Sequence, residues 1–176
     1  MNDHCNRRTF LRKFRPAAGL LLVDSRVVGG AHANADLSIG LAGCGNRGIY
    51  LADICSKNKH ATITAVCDIS DEKLSAAAER YSGARRFKDY EDLLRQPDVD
   101  AVFVATPAFL HPEHFQLAVE ARKHIFLEKP VAVNTEGCRR VAAAARRGDL
   151  TKRITIGYQQ RYGRDYRKAY AIVDSG

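Results

Sequence analysis

A glycine-rich turn directly after a short apolar run constrains the fold of this chain more than any other stretch. The run spans residues 37–42, and the pattern Gly-x-Gly-x-x-Gly follows at residues 43–48. A buried strand, a tight turn and the first turn of a helix produce this pattern, because the first glycine permits the turn, the second lets a phosphate approach the backbone, and the third lets the helix pack on the strand. The pattern therefore predicts a dinucleotide-binding loop. Its residues are Gly43, Cys44, Gly45, Asn46, Arg47 and Gly48.

The rest of the chain alternates short runs rich in apolar and β-branched residues with segments of helical periodicity. Further strands are predicted at 61–67, 84–87, 98–105, 124–127 and 152–158. Helices are predicted at 46–57, from Ser70 onward, and at 88–95, 112–123, 134–148 and 164–175. Connections this short favour right-handed crossovers between parallel strands. The sequence therefore predicts an α/β fold, a doubly wound Rossmann sheet with flanking helices.

Asp68 follows the predicted second strand, 20 positions beyond Gly48. A carboxylate at this point accepts hydrogen bonds from both ribose hydroxyls of an adenosine and repels a 2'-phosphate. No arginine follows Asp68 directly, and Ser70 offers a phosphate only one hydrogen bond. NAD is therefore the expected cofactor, and NADP is less favoured. A loop aspartate or a helix cap is the alternative interpretation of Asp68.

The first 35 residues are typical of an export signal rather than of a folded segment. Arg7 and Arg8 begin a pattern similar to the twin-arginine signature, an apolar segment follows at 17–23, and residues 33–35 offer an Ala-Asn-Ala cleavage site. We expect residues 1–35 to be a twin-arginine-type signal peptide and the protein to be periplasmic or secreted. The alternative is a basic tail that stays attached to a cytoplasmic protein.

The charge and the cysteines argue against several other function classes. The net charge is +8, and six of the 28 Lys/Arg lie in residues 1–35. The others are spread over helix faces without interleaved aromatic residues, so no nucleic-acid partner is expected. The apolar segment at 17–23 is too short to span a bilayer, so no membrane contact beyond export is expected. The five cysteines form no C-x-x-C pair, and no metal site is expected.

Three further motifs stand at the ends of later predicted strands. Thr-Pro at 106–107 follows the fourth strand, Glu-Lys-Pro at 128–130 follows the fifth, and Gly-Tyr-Gln-Gln-Arg-Tyr occupies 157–162. With the glycine loop and Asp68, in this order and spacing, these motifs resemble the N-terminal half of the Gfo/Idh/MocA family of nicotinamide-dependent oxidoreductases, over residues 37–176. Together with the export signal, the resemblance is closest to secreted members related to glucose-fructose oxidoreductase.

The resemblance implies a role for each motif. It makes Lys129 the catalytic residue, because a cation beside the reacting hydroxyl stabilises the alkoxide that develops during hydride transfer. It places Glu128 near the nicotinamide ribose and implies a cis peptide at Pro130. Arg161 and Tyr162 resemble the segment that enters the substrate domain, where they either touch substrate or pack. The other residues that it places along the cofactor are Thr106, Pro107 and His111.

The same resemblance predicts the domain organisation. Residues 36–158 are expected to be the NAD(P)-binding domain, and residues 159–176 the start of a truncated C-terminal substrate domain. In the family, that second domain supplies most of the substrate pocket, an Asp/His pair for proton transfer and the oligomer interface. We therefore expect all three to be missing, and residues 36–176 to show no turnover alone.

Two function classes remain open. The chain is the nucleotide-binding half of an NAD-dependent oxidoreductase that acts on a sugar or sugar derivative, or it is a noncatalytic NAD-binding module, a pseudoenzyme that needs a partner. A methyltransferase also combines a glycine-rich loop with an acidic residue after the second strand. Thr-Pro and Glu-Lys-Pro at later strand ends are unusual in that class, which disfavours this third interpretation.

Overall fold

Strands and helices alternate along the chain in the computed structural model, which describes residues 36–176. The strands are β1 (Leu37–Ala42), β2 (Ala61–Cys67), β3 (Arg85–Phe87), β4 (Ala101–Val104), β5 (His124–Leu127) and β6 (Ile154–Ile156). The helices are α1 (Asn46–Ser56), α2 (Asp71–Arg80), α3 (Tyr90–Leu94), α4 (His111–Glu120), α5 (Thr135–Arg147), α6 (Gln159–Tyr162) and α7 (Arg164–Ser175). The predicted signal peptide at 1–35 lies outside the described residues.

The six strands form one parallel sheet in the order β3-β2-β1-β4-β5-β6. This is the order of a doubly wound dinucleotide-binding sheet, and it confirms the predicted Rossmann fold. The strand order reverses direction at β1, which pairs with β2 on one side and with β4 on the other. Sheets of this type bind ligands outside the carboxyl ends of the strands at such a switch point.

The sheet is covered on both faces by helices. On one face, α1 and α2 pack over side chains such as Leu41 and Val66. On the other face, α3, α4 and α5 pack over Ala42 and Val104. Consecutive residues such as Leu41 and Ala42 pack under different layers of helices because successive side chains of a strand point to opposite faces. Burial on both faces explains why the strands read as nearly continuous apolar runs.

Local hydrogen bonds and backbone angles explain where element boundaries differ from the predicted ones. The helix predicted at 88–95 begins only at Tyr90, because the Asp89 carboxylate caps it by accepting from the backbone N–H groups of its first turn. The helix predicted at 112–123 ends early, at Glu120, since Arg122 adopts a left-handed conformation with φ of 54°. The fourth and sixth strands are each shorter than predicted by several residues.

The last two helices differ from the rest in burial. Helix α7 has the predicted bounds, but none of its residues is buried. Its exposed apolar side chains include Tyr166, Tyr170 and Val173, which recur at the spacing of one helix face. The four-residue helix α6 before it is not predicted by any pattern. No helix within residues 36–176 has both the length and the apolar character needed to cross a membrane.

Candidate functional site

The glycine loop joins β1 to α1 at the carboxyl edge of the sheet, and packing requires two of its glycines. Gly43 adopts a φ of +92°, and a Cβ there would lie 2.6 Å from the carbonyl oxygen of Ala105. A Cβ on Gly48 would lie 1.9 Å from the carbonyl oxygen of Gly43. Both contacts are with backbone atoms, which cannot rotate away. Gly43 and Gly48 therefore hold the turn against β4 and close the first turn of α1 onto the loop.

The middle glycine faces open space instead. Gly45 is the N-cap of α1, and a Cβ at this position would meet no atom of the described residues within 4 Å. Its φ of −74° is accessible to any residue, so neither conformation nor packing calls for glycine here. The missing side chain leaves an open cradle above the backbone, where a phosphate can approach it.

The N-terminus of α1 is electrostatically prepared for an anion. Its first turn holds no acidic residue and its N-cap supplies no side-chain acceptor, so the positive end of the helix is uncompensated. The other described helices of ten residues or more, α2, α4, α5 and α7, each have at least one acidic residue in the first turn. Among these five helices, the one after the glycine loop is thus the exception, and a pyrophosphate would complement it.

Asp68 is fixed against the glycine loop by two backbone donors. Its Oδ2 accepts a hydrogen bond from the Cys44 N–H at 2.8 Å, and its Oδ1 accepts one from the Ser70 N–H at 2.8 Å. Each oxygen keeps a second lone pair for another donor, such as a ribose hydroxyl. The cap of α2 is Ser70, whose side chain accepts from the Lys73 N–H, so the carboxylate of Asp68 is not used as that cap.

The two cysteines beside Asp68 are buried and chemically quiet. Burial raises the pKa of Cys44 and that of Cys67 to about 12, and the nearby Asp68 carboxylate adds to the effect in both. The Cys44 thiol donates weakly to the carbonyl oxygen of Cys67 at 3.6 Å. Both side chains therefore remain protonated at neutral pH and fill space as small apolar groups.

The Thr-Pro turn after β4 is tied to the Glu-Lys-Pro turn after β5 by a histidine. His111, the first residue of α4, is only 2% exposed. Its Nδ1 lies 2.6 Å from the carbonyl oxygen of Pro130, and its Nε2 lies 2.8 Å from the carbonyl oxygen of Thr106. Both ring nitrogens are therefore engaged by protein atoms, and the ring spans the gap between the two turns.

Glu128 is buried and is held by the glycine-loop side of the site. Its Oε1 accepts two hydrogen bonds from the Arg47 guanidinium, from Nε at 2.8 Å and from Nη2 at 2.5 Å. Its Oε2 accepts from the Lys129 N–H at 3.1 Å. A Cβ on Gly157 would lie 2.9 Å from the same Oε1, so the strand end of β6 also closes on this carboxylate. Arg47 thus links α1 to the turn after β5.

Lys129 differs from Glu128 in exposure. Its side chain is exposed, and within residues 36–176 no carboxylate lies within ion-pair distance of its ammonium. The peptide bond that follows, Lys129–Pro130, is cis, as the resemblance implies. The turn therefore presents the Lys129 ammonium at the carboxyl edge of the sheet, whereas the side chain of Glu128 before it is buried and hydrogen-bonded to Arg47.

A cavity of about 310 Å³ lies beside Asp68, between its turn and the Thr-Pro turn. Tyr90 and His114 line it, and neither is identifiable from the sequence pattern alone. His114 Nδ1 lies 3.0 Å from the Thr106 hydroxyl oxygen, and its ring centroid lies 4.5 Å from that of Tyr90. Burial lowers the pKa of His114, so this ring is neutral at pH 7. The one available signal is its position three residues after His111, on a neighbouring part of the same helix face.

Two predicted substrate residues lie in α6, which follows β6. Arg161 is exposed, and the side chain of Tyr162 lies outside what the structure describes. Their predicted contact with substrate stays a prediction. In the described part of the chain, no group of three or more His, Cys, Asp or Glu side chains is placed to hold a metal ion.

The residues at this edge fit a dinucleotide. The open cradle at Gly45, the uncapped end of α1 and the cavity beside Asp68 offer a place for the pyrophosphate, the ribose and the base in turn. The Tyr90 hydroxyl, in the lining of that cavity, is buried and finds no hydrogen-bond partner among residues 36–176. These features are what a Rossmann sheet uses to hold a dinucleotide across its switch point.

Comparison with known proteins agrees with this geometry. Residues 37–158 match the Gfo/Idh/MocA family model, described as an oxidoreductase family with an NAD-binding Rossmann fold. Inositol 2-dehydrogenase of Salmonella paratyphi B is 32% identical over 142 residues, which cover 80% of this chain and 42% of that protein.

Two solved structures are similar as well. Myo-inositol dehydrogenase of Lactobacillus casei, in complex with NAD(H) and myo-inositol, superposes with a TM-score of 0.75 at 31% identity, over 80% of this chain and 42% of that one. KijD10, a 3-ketoreductase of Actinomadura kijaniata in complex with NADP, superposes with a TM-score of 0.69 at 25% identity, over 80% of this chain and 43% of that one. The chain thus spans about two fifths of the length of the relatives that it matches.

Proposed function

This chain belongs to the Gfo/Idh/MocA oxidoreductase family, whose matched part is an NAD-binding Rossmann fold, and on that premise we propose that it is the nucleotide-binding half of an NAD-dependent oxidoreductase. The reaction is hydride transfer at a carbon that carries a hydroxyl group in a sugar or sugar derivative. The observation that carries the proposal is the Asp68 carboxylate, which two backbone N–H groups hold at the mouth of the glycine loop.

Asp68 and the glycine loop would bind the adenosine and pyrophosphate of the cofactor. The backbone at Gly45 approaches the phosphates, and the first-turn N–H groups of α1 bond them. The two carboxylate oxygens of Asp68 accept from the two ribose hydroxyls. A 2'-phosphate would meet this carboxylate directly, which favours NAD over NADP. Lys88, a cation in the lining of the cavity beside Asp68, is paired with Asp71 and bonded to the Ile69 carbonyl oxygen.

Lys129 would serve the reacting end of the site. A bound nicotinamide supplies the hydride chemistry. Lys129 offers an exposed ammonium at the turn after β5, where it can donate a hydrogen bond to the substrate oxygen and stabilise negative charge as it develops there. Glu128 is buried and bonded to Arg47, so its part is to fix the turn rather than to exchange protons with solvent.

A polyol or sugar ring is the proposed substrate class. Two of the relatives described above carry the names of inositol dehydrogenases, and one solved structure contains myo-inositol. Residues 159–176 are proposed as the start of the domain that binds it. The unburied helix α7, with one apolar face turned outward, supports this proposal because such a face is expected to pack against further protein.

Titration with NADH, followed by its fluorescence, tests the proposal on the full chain. We expect saturable binding, which Gly45→Ala weakens at least about tenfold by filling the cradle, without change in the thermal unfolding midpoint. Lys129→Ala is the matched control at the other end of the site, and it should leave NADH affinity within about threefold of the parent, since its side chain serves the substrate. Absence of NADH binding would refute the proposed function.

Residues 1–35 are proposed as a twin-arginine export signal, on the pattern around Arg7 and Arg8. The paired substitution of both arginines by lysine keeps the charge but removes the recognised side chains. It should abolish the appearance of the protein in the periplasm, whereas Arg12→Lys should not. Equal export of the paired variant would argue for a different route, and the absence of both the parent and the variant from the periplasm would argue for a cytoplasmic protein.

A further inference from the structure

Arg47 lies where a phosphate ligand is expected, but its guanidinium is bonded to a carboxylate from another part of the sheet. It is the second residue of α1, in the turn whose N–H groups are proposed to bind the pyrophosphate. Its Nε and Nη2 both donate to Oε1 of Glu128, at 2.8 Å and 2.5 Å, across 81 positions of sequence. The side chain therefore connects the two ends of the proposed cofactor site.

A second contact orients the guanidinium. Tyr50, three residues further along α1, places its ring centroid 5.4 Å from Cζ of Arg47, within the range of a cation–π interaction. The side chain of Arg47 is 38% exposed, whereas that of Glu128 is only 5% exposed. Because a carboxylate this deeply buried is stabilised only by a partner in good geometry, we expect the pair to keep one arrangement.

Glu128 transmits this arrangement to the turn that carries Lys129. Its Oε2 accepts a hydrogen bond from the Lys129 N–H at 3.1 Å. A Cβ on Gly157 would lie 2.9 Å from its Oε1, so the end of β6 closes on the same carboxylate. The carboxylate is thus fixed by α1, by its own turn and by β6. Its Oε2 still has the capacity to accept one more donor, such as a ribose hydroxyl.

We propose that Arg47 is a positioning residue for the nicotinamide end of the site, and that it acts through Glu128 on the turn after β5 rather than as a ligand of the pyrophosphate. The effect on the cofactor rests on the proposed function, whereas the effect on the turn does not. The phosphates then depend on backbone N–H groups of α1, and the second ribose and the nicotinamide depend on a side chain of the glycine loop.

Arg47→Lys separates the two possible roles of Arg47. The lysine keeps a positive charge beside the pyrophosphate and opposite the buried carboxylate, but it lacks the rigid guanidinium whose two N–H groups converge on Oε1. NADH spans the whole site, whereas ADP carries the adenosine and both phosphates without the second ribose or the nicotinamide. We expect NADH to bind about tenfold more weakly to the variant, and ADP affinity to stay within about threefold of the parent.

The other outcomes of these titrations overturn the proposal. Equal weakening of NADH and ADP would assign Arg47 to the pyrophosphate, and unchanged affinity for both would separate Arg47 from the nicotinamide end. Asp53→Asn is the matched control, because it disrupts another ion pair of α1, made with Arg80 at 2.7 Å. It should leave both affinities unchanged.

A double-mutant cycle tests whether Arg47 acts through Glu128. Glu128→Gln should weaken NADH binding by a similar factor, since the amide removes the charge that holds the guanidinium. In that background, Arg47→Lys should weaken NADH binding no further, because residues that act as one unit are not additive. Additive losses in the double variant would overturn the proposed route through the carboxylate.

Amide hydrogen exchange of the full chain without cofactor tests the positioning of the turn by itself. Arg47→Lys should speed exchange of the Lys129 amide about tenfold. The Glu128 amide donates to the Val104 carbonyl oxygen and should exchange as in the parent. Equal exchange of the Lys129 amide in the parent and the variant would overturn the positioning role, whatever the cofactor result. If that exchange accelerates but the parent binds neither NADH nor ADP, the proposed function fails, and with it the effect on the nicotinamide end.

Discussion

The two sides of the site are built by different means. On the glycine-loop side, Asp68 and the end of α1 are positioned by backbone groups, through two N–H bonds to the carboxylate and by glycines packed against main-chain atoms. On the lysine side, the turns after β4 and β5 are held by side chains, through His111 and through the Arg47–Glu128 pair. The comparison indicates that the proposed cofactor-binding side rests on backbone contacts, and that the proposed reacting side rests on a few replaceable side chains.

The largest expected effect lies on the glycine-loop side. Gly48→Ala would place a Cβ 1.9 Å from the Gly43 carbonyl oxygen. The loop would have to move away from α1, so we expect destabilisation by about 3 kcal/mol or more, the upper range for overpacking. Chemical denaturation measures this, with Gly45→Ala as the control because a Cβ there contacts none of residues 36–176 within 4 Å. Equal stability of the two variants would show that backbone packing does not hold this side.

A smaller effect is expected when the side-chain pair of the lysine side is broken. Arg47→Met leaves the buried Glu128 carboxylate without its cation, and we expect a loss of about 1–3 kcal/mol in the free energy of unfolding. The exposed pair Arg85–Asp98 is the control, since Asp98→Asn should cost less than about 1 kcal/mol. If both variants lose the same amount, Arg47–Glu128 behaves as a surface pair and the two sides do not differ in this respect.

Asp68→Asn tests the preference for NAD over NADP. The amide keeps one carbonyl acceptor but loses the charge that opposes a 2'-phosphate, so the preference for NAD over NADP should shrink by about tenfold. Asp71→Asn removes a carboxylate three residues later that forms an ion pair with Lys88, and it should leave the preference as it is. An unchanged ratio of NAD affinity to NADP affinity in Asp68→Asn would favour the alternative interpretation of Asp68 as a loop residue.

The smallest effect concerns pH. Because burial lowers the pKa of His114 below its ordinary value of 6.5, the unfolded chain takes up a proton more readily than the folded one as the pH falls. The free energy of unfolding should therefore decrease below about pH 6.5, and His114→Gln should remove part of that decrease, less than about 1 kcal/mol. Denaturation at pH 7 and pH 5 measures it, with His60→Gln as control. A larger decrease in the free energy of unfolding from pH 7 to pH 5 in His114→Gln than in the parent chain would contradict the predicted direction.

The same difference between the two sides decides what the sequence can predict. The glycine pattern, the apolar strands and Asp68 are local signals, and they predict the sheet and the position of the carboxylate. His111 bonds a residue 19 positions away and Arg47 bonds one 81 positions away, and no periodicity marks either pairing. The sequence predicts element ends less well for a related reason, since the N-cap Asp89 sets where one helix begins and the left-handed Arg122 sets where another ends, and neither changes the apolar pattern.

The cofactor preference of the unmodified full chain tests the central claim most directly. Calorimetric titration with NAD(H) and NADP(H) under the same conditions compares the two affinities, and the backbone-held Asp68 predicts that NAD(H) binds at least about tenfold more tightly. Equal or tighter binding of NADP(H), or binding of neither, would contradict the account.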